Sequence, residues 1–157
     1  MGLWYEDLVP GLEIEHQVRR TVTEMDNVLF STLTMNPQPL HLDEEFAKNT
    51  EFGARVVNGL FTLSLVIGLS VQDISLGTTV ANLGYDVVEM PAPVFHGDTI
   101  RVVSRVLEAR ESKSRPTQGI VKLEHLGYNQ SDTLVVRVVR TALFHKRPAS
   151  QSHGTGS

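Results

Sequence analysis

The sequence contains no cysteine. That excludes a disulfide, a thiolate nucleophile and any cysteine-based zinc site, and it fits a cytoplasmic chain. An excess of positive charge is missing too. With 14 Lys and Arg against 18 Asp and Glu, the net charge of −4 gives no basic footprint for nucleic acid. No long hydrophobic run is present. The most apolar stretch, VVNGLFTLSLVIGLSV over 56–71, is interrupted by Asn58, Ser64 and two glycines. It is shorter than the roughly 20 residues a membrane-spanning helix needs, so no membrane partner is expected. The N-terminal MGLWYEDLVPG lacks the basic and apolar regions of a signal peptide. The six histidines form neither His-Glu-x-x-His nor another compact ligand set, so no metal is expected. Gly-x-Ser-x-Gly, a phosphate loop and Gly-x-Gly-x-x-Gly are all absent.

What is there describes a globular chain. At 157 residues, 41% apolar and 20% charged, it suits one domain with a sizeable core, spanning 1–147. The small, polar residues 148–157 predict a disordered tail.

LEIEHQVRR (12–20) alternates, with Leu12, Ile14 and Val18 on one face, and predicts a half-buried strand. His16 falls on the apolar parity and reads as a satisfied or edge histidine. TEMDNVLFSTLT (23–34) predicts a helix capped by Thr23, with Glu24 and Asp26 in its first turn. An irregular segment over 35–42 follows, then a short helix started by Asp43. The 56–71 run is apolar nearly all round and predicts a helix covered on every side. Four strand-like segments come last, at 79–90, 99–111, 119–129 and 133–145, joined by short turn-rich links. Consecutive strands favour an antiparallel sheet. A helix apolar on every face is most economically wrapped by that sheet. The expected class is therefore α+β, the hotdog architecture, with a five-stranded antiparallel sheet around a long central helix. One such sheet leaves an edge and wraps its helix incompletely, so a homodimer or higher homo-oligomer is expected.

The segment TLTMNPQPLHLDEEF, residues 32–46, is proline-stiffened and carries His41 beside Asp43, Glu44 and Glu45. It resembles the signature of the MaoC-like, or (R)-specific enoyl-CoA hydratase, family, roughly Thr-Gly-Asp-x-Asn-Pro-Ile/Leu-His-x-Asp-x-x-x-Ala. Thr34, Pro39, Leu40, His41, Asp43 and Ala47 match. Met35 replaces the Gly, Asn36 the Asp and Gln38 the Asn. Asn58-Gly59 stands where the family usually has His-Gly at its helix entrance, and PAPVFHGDTI resembles its Pro-Val-x-x-Gly-Asp-Thr-Leu loop. The three matches run in order over residues from about 5 to 145.

The resemblance implies a hydratase or dehydratase acting on an enoyl-CoA or 3-hydroxyacyl-CoA thioester, with a mesaconyl-like acyl group one candidate. No cofactor is implied beyond the CoA of the substrate. It assigns His41 as acid–base residue and the Gly59 N–H as donor to the thioester oxygen, since a helix N-terminus supplies such donors. On spacing alone, His41 reads first as a loop histidine capping or bonding backbone. Asn36 cannot accept a proton from water, but its amide can orient one; its other reading is a turn start before proline. Asp43 reads as an N-cap. Asn58 and Ser64 are candidate pocket residues, with a packed helix serine the competing reading for Ser64. Lys113 and Arg115, in the loop SKSRPTQG, are candidates for CoA phosphates or for a solvated turn. The rival functions are an acyl-CoA thioesterase on the same fold and a non-catalytic acyl-CoA binding module.

Overall fold

A computed structural model describes residues 1–149. The tail expected to be disordered, 148–157, falls from residue 150 onward outside the described residues.

Local sequence sets the first elements. A strand β1 (Glu13–Glu15) and a two-residue strand β2 (Arg20–Thr21) precede the helix α1 (Glu24–Leu33). Thr23 caps α1 as expected. Its hydroxyl accepts from the Asp26 N–H, and the Asp26 carboxylate accepts from the Thr23 N–H in return. The single strand expected over 12–20 is broken. β1 stops at Glu15 because His16 turns inward, 3% exposed, to bond Asp73 (2.7 Å) and Ser104 (2.8 Å). Val18, expected on the buried face, is exposed.

A one-turn helix α2 (Pro39–Leu42) lies in the segment expected to be irregular. Pro39 at its first position suits a helix start, where no N–H is needed. The short helix α3 (Glu44–Lys48) is capped by Asp43, whose carboxylate accepts the Phe46 N–H at 3.0 Å. Then comes the long helix α4 (Gly59–Ile74), with Asn58 as its cap.

The remaining strands are β3 (Thr79–Glu89), β4 (Thr99–Glu111), β5 (Gln118–Tyr128) and β6 (Leu134–His145). The sheet is antiparallel in the order β1-β4-β5-β6-β3, with β2 also paired to β4. The hotdog arrangement of sheet and central helix is therefore present, with β2 as an addition.

Helix α4 buries Thr62, Val66, Ser70 and Ile74, one residue per turn, against the sheet. Gly127 of β5 permits the approach, because a Cβ there would collide with the Val66 side chain. Full burial of a side chain such as Val66 contributes about 1.5–3 kcal/mol. The helix is not covered on every side, however: Leu60, Ser64 and Gly68 lie exposed. One apolar cluster gathers Val57, Val66, Val94, Ile100 and Val136 near the start of α4, and a second gathers Leu8, Ile74, Val106, Leu123 and Phe144 near its end. Among the described residues, no helix is long and apolar enough to cross a membrane.

Candidate active site

The site begins where α1 ends. Met35 takes a left-handed backbone, φ 58°, and turns the chain sharply. The Asn36 N–H donates to Ser31 O, and its side-chain oxygen accepts the Gln38 N–H at 3.1 Å, closing an Asx turn. Pro39 then starts α2, which presents His41.

Its imidazole is fixed by a 2.7 Å hydrogen bond between Nδ1 and the carbonyl of Val56. A carbonyl only accepts, so Nδ1 carries a proton, and in the neutral tautomer that this selects Nε2 keeps its lone pair. Val56 is held in turn by its own N–H to Leu40 O, and Val57 by its N–H to Val94 O.

Asn27 locks these segments together. It is fully buried on α1, and its amide nitrogen lies 3.2 Å from His41 O, 3.2 Å from Val56 O and 2.9 Å from His96 Nε2. Two hydrogens thus serve three acceptors. Its oxygen accepts the Asn58 N–H at 2.9 Å, so Asn27 ties the His41 turn to the α4 N-terminus. Burial, reinforced by nearby Arg55, lowers the His96 pKa. That keeps His96 neutral and able to accept from Asn27.

A cavity of about 340 Å³ opens at this junction. His41, Gly59 and Thr62 line it together with Phe52, Val56, Val57, Met90, the 91–94 loop, Val135 and Val136. Asn58 caps α4 by accepting the Leu60 N–H at 3.1 Å. The Gly59 N–H has no partner among the described residues and stands at the positive end of α4. Gly59 has little room for a side chain, since a Cβ would meet the Met90 sulfur. Thr62 is 2% exposed, and its hydroxyl has no partner among the described residues. Leaving a buried hydroxyl unpaired costs about 1–3 kcal/mol.

A larger hollow of about 530 Å³ lies elsewhere, lined by Arg19, Thr21, Thr99, Arg101, Asn129, Gln130 and Asp132. Its Arg101 is already paired with Asp132 at 2.8 Å and stacked over Tyr128, and no histidine lines it. The smaller cavity is the one that joins a titratable ring to a free N–H donor.

Of the residues singled out from sequence, His41 and Gly59 therefore meet in one cavity. The others do not join them. Asn36 spends its oxygen on its own turn and is not part of the lining. Asn58 is buried behind the wall, with its amide nitrogen 3.3 Å from the Ser31 hydroxyl. Ser64 is corrected outright: it is exposed on the outer side of α4, because the buried line of that helix runs through positions 62 and 66. Lys113 and Arg115 are exposed in the β4–β5 turn, thirteen residues of β4 away from the end of the sheet that holds the cavity. Within one chain they do not reach it.

Sequence reasoning missed Thr62, Asn27 and Met90. Thr62 was open to discovery, standing one turn after Gly59 on the same helical face. Asn27 carried no signal; only the crossing of α1 over the α4 entrance makes it a hub.

Residues 7–129 match the family model described as the MaoC like domain. The chain is 37% identical over 146 residues to the mesaconyl-CoA hydratase of Cereibacter sphaeroides, covering 93% of this chain and 42% of that protein. It is 34% identical over 146 residues to the beta-methylmalyl-CoA dehydratase of Chloroflexus aurantiacus, covering 93% and 41%. It thus spans about two fifths of the length of these relatives. Among solved structures, the MaoC-like dehydratase from Rhodospirillum rubrum superposes with a TM-score of 0.83 at 30% identity, covering 94% of this chain and 100% of that one. A Mycobacterium tuberculosis protein described as having a double hotdog fold gives 0.84 at 21% identity, covering 96% and 46%, which bears on fold alone. With the family model matching well over half its length and the hotdog fold in place, the chain belongs to the MaoC-like domain family.

Proposed function

We propose that this chain is a hydratase or dehydratase acting on an enoyl-CoA or 3-hydroxyacyl-CoA thioester. The observation that carries the reading is the convergence of an oriented His41 ring and the free Gly59 N–H on one largely apolar cavity. In the hydration direction, His41 Nε2 takes a proton from water as the water oxygen bonds to C3. The C2–C3 double-bond electrons move toward the thioester, and the developing enolate oxygen accepts the Gly59 N–H. The Nδ1–H bond to Val56 O steadies the imidazolium, which then delivers its proton to C2. One water is added and His41 returns to its starting state. A positioned acid–base group contributes roughly 10²–10⁴ in rate, and an oxyanion donor roughly 10²–10³. No cofactor is needed beyond the CoA of the substrate. The names of the relatives favour a small mesaconyl-like acyl group. A CoA substrate and a cysteine-free chain both fit the cytoplasm.

Hydration removes the enoyl-thioester absorbance without releasing thiol, whereas hydrolysis releases CoA. On a panel of enoyl-CoA thioesters, wild type is expected to do the first and His41→Ala to lose about 10²–10⁴ of the rate. Released thiol would make the protein a thioesterase, and binding without turnover an acyl-CoA module.

The same reading includes a homodimer. β3 ends the sheet with a free edge, and Leu83, Tyr85 and Val88 on it are exposed together with Leu60 at the start of α4. A second copy would cover the exposed apolar side chains of β3 and its edge. That the relatives run to more than twice this length, and that one structural neighbour is a double hotdog, both support a pair of such units. Light scattering is expected to give twice the 17.4 kDa chain mass; a monomer at assay concentration would contradict it.

A further inference from the structure

Three buried side-chain atoms of the described residues lack a hydrogen-bond partner: Thr62 Oγ1, Thr79 Oγ1 and Arg140 Nη2. Of their residues, Thr62 alone lines a described cavity, and it is the cavity of His41 and Gly59. Its isolation is not what helical threonine ordinarily shows. A threonine or serine in a helix commonly satisfies its hydroxyl on a carbonyl three or four residues back. Thr32 does so on Val28 O at 2.7 Å, Thr34 on Phe30 O at 2.8 Å, and Ser70, on the same helix as Thr62, on Ile67 O at 2.7 Å. The Thr62 N–H bonds Asn58 O at 3.2 Å in the regular way, yet the hydroxyl takes no carbonyl. It is left as an unpaired polar group on a residue of the cavity wall.

Thr62 stands three residues after Gly59, about 4.5 Å further along the helix axis. That step is comparable to the separation, in a 3-hydroxyacyl thioester, between the carbonyl oxygen and the oxygen on C3. We infer that Thr62 is a positioning residue whose hydroxyl binds the C3 oxygen of the acyl thioester, the water being added or the hydroxyl being removed. This rests on the hydratase reading of the same site. It also fills the place left by Asn36, whose side chain is absent from the cavity lining. Thr62 takes no proton in the net reaction. It orients the oxygen that His41 protonates or deprotonates.

The test uses Thr62→Val, which keeps shape and removes the hydroxyl, beside Thr62→Ser, which restores it. Binding is measured for a 3-hydroxyacyl-CoA and for the saturated acyl-CoA of the same chain length, together with kcat, KM and the melting temperature. T62V is expected to weaken the 3-hydroxy ligand roughly tenfold or more and to lower kcat by a similar factor, the scale of one lost hydrogen bond. It should leave the saturated ligand within about twofold and leave the melting temperature unchanged or raised. T62S should recover most of the loss. Equal weakening of both ligands, no weakening of either, or a clear drop in melting temperature would each overturn the assignment. If wild type binds both ligands but turns over no enoyl thioester, the hydratase reading fails, and the ligand pair still decides Thr62. If wild type binds neither ligand, both readings fall.

Discussion

Replacing Asn27 by alanine probes the scaffold of the site at its least obvious point. Asn27 is fully buried, and its amide meets four groups on three segments. Val56 O keeps the His41 Nδ1–H after the change, so it stays satisfied. His96 is only half-buried and can turn to water. The Asn58 N–H has no such escape, because Asn27 Oδ1 is its partner and Asn58 is 4% exposed. One orphaned buried N–H costs about 1–3 kcal/mol, and truncating the amide adds a small packing loss. A destabilisation of about 2–4 kcal/mol is expected, lowering the melting temperature by roughly 4–16 °C for a chain of this size. Urea melts followed by far-UV dichroism measure it through the shift in midpoint at constant slope. Turnover should fall as well, at temperatures where the variant remains folded, because the His41 turn and the α4 N-terminus are no longer tied together. An N27A protein within about 0.5 kcal/mol of wild type, the range of an ordinary surface change, would falsify the hub assignment.

Two further outcomes follow from the same geometry. Gly59→Ala crowds the Met90 sulfur, but Met90 is 43% exposed and its end can swing away. Stability should stay near wild type or rise slightly, as alanine favours helix, while the methyl obstructs the approach to the Gly59 N–H and kcat/KM falls on the order of 10²; undiminished turnover would remove this N–H from the mechanism. The second concerns pH. His125 is fully buried between the Ser104 hydroxyl (2.6 Å) and the Arg140 Nε–H (2.9 Å). Burial first, then the charge of Arg140, push its pKa well below the ordinary value, and His96 shifts the same way more weakly. Below about pH 6.5 the unfolded chain takes up a proton that the folded chain refuses. Stability is therefore level above that pH and falls below it, by up to about 1.36 kcal/mol per pH unit for His125. Much lower, Asp26, held down to about 2 chiefly by its bond to Arg20, loses its contribution as pH falls from its ordinary 3.8 toward that value. Urea midpoints unchanged between pH 7 and pH 5 would contradict a neutral buried His125.

The order of elements was legible in the sequence because each signal is local. Strand-like segments between turn-rich links set β3 to β6 to within a residue or so of their observed bounds, Thr23 with Asp26 set α1, and Asp43 set α3. The apolar run set the central helix, although its ends shifted to Gly59 and Ile74. His41 and Gly59 were legible through the resemblance of the Pro39 segment and the helix entrance to the family's motifs, not through spacing alone. The broken first strand was not, since His16 leaves its alternation to reach Asp73 and Ser104, 57 and 88 residues away. Nor was the composition of the cavity. Sequence spacing says which residues share a helix, but which side of α4 meets the sheet is decided by packing against Gly127 and its neighbours. That rotation sends Ser64 to the surface and Thr62 to the cavity. Length separates Lys113 and Arg115 from the site, because they lie beyond the far end of β4, whose thirteen residues run from Thr99 to Glu111. The sequence by itself determined most of the elements and their order, and its resemblance to the family singled out His41 and Gly59. Only the tertiary structure decided which other polar groups join them, because hydrogen bonds between distant segments form only after the chain has folded.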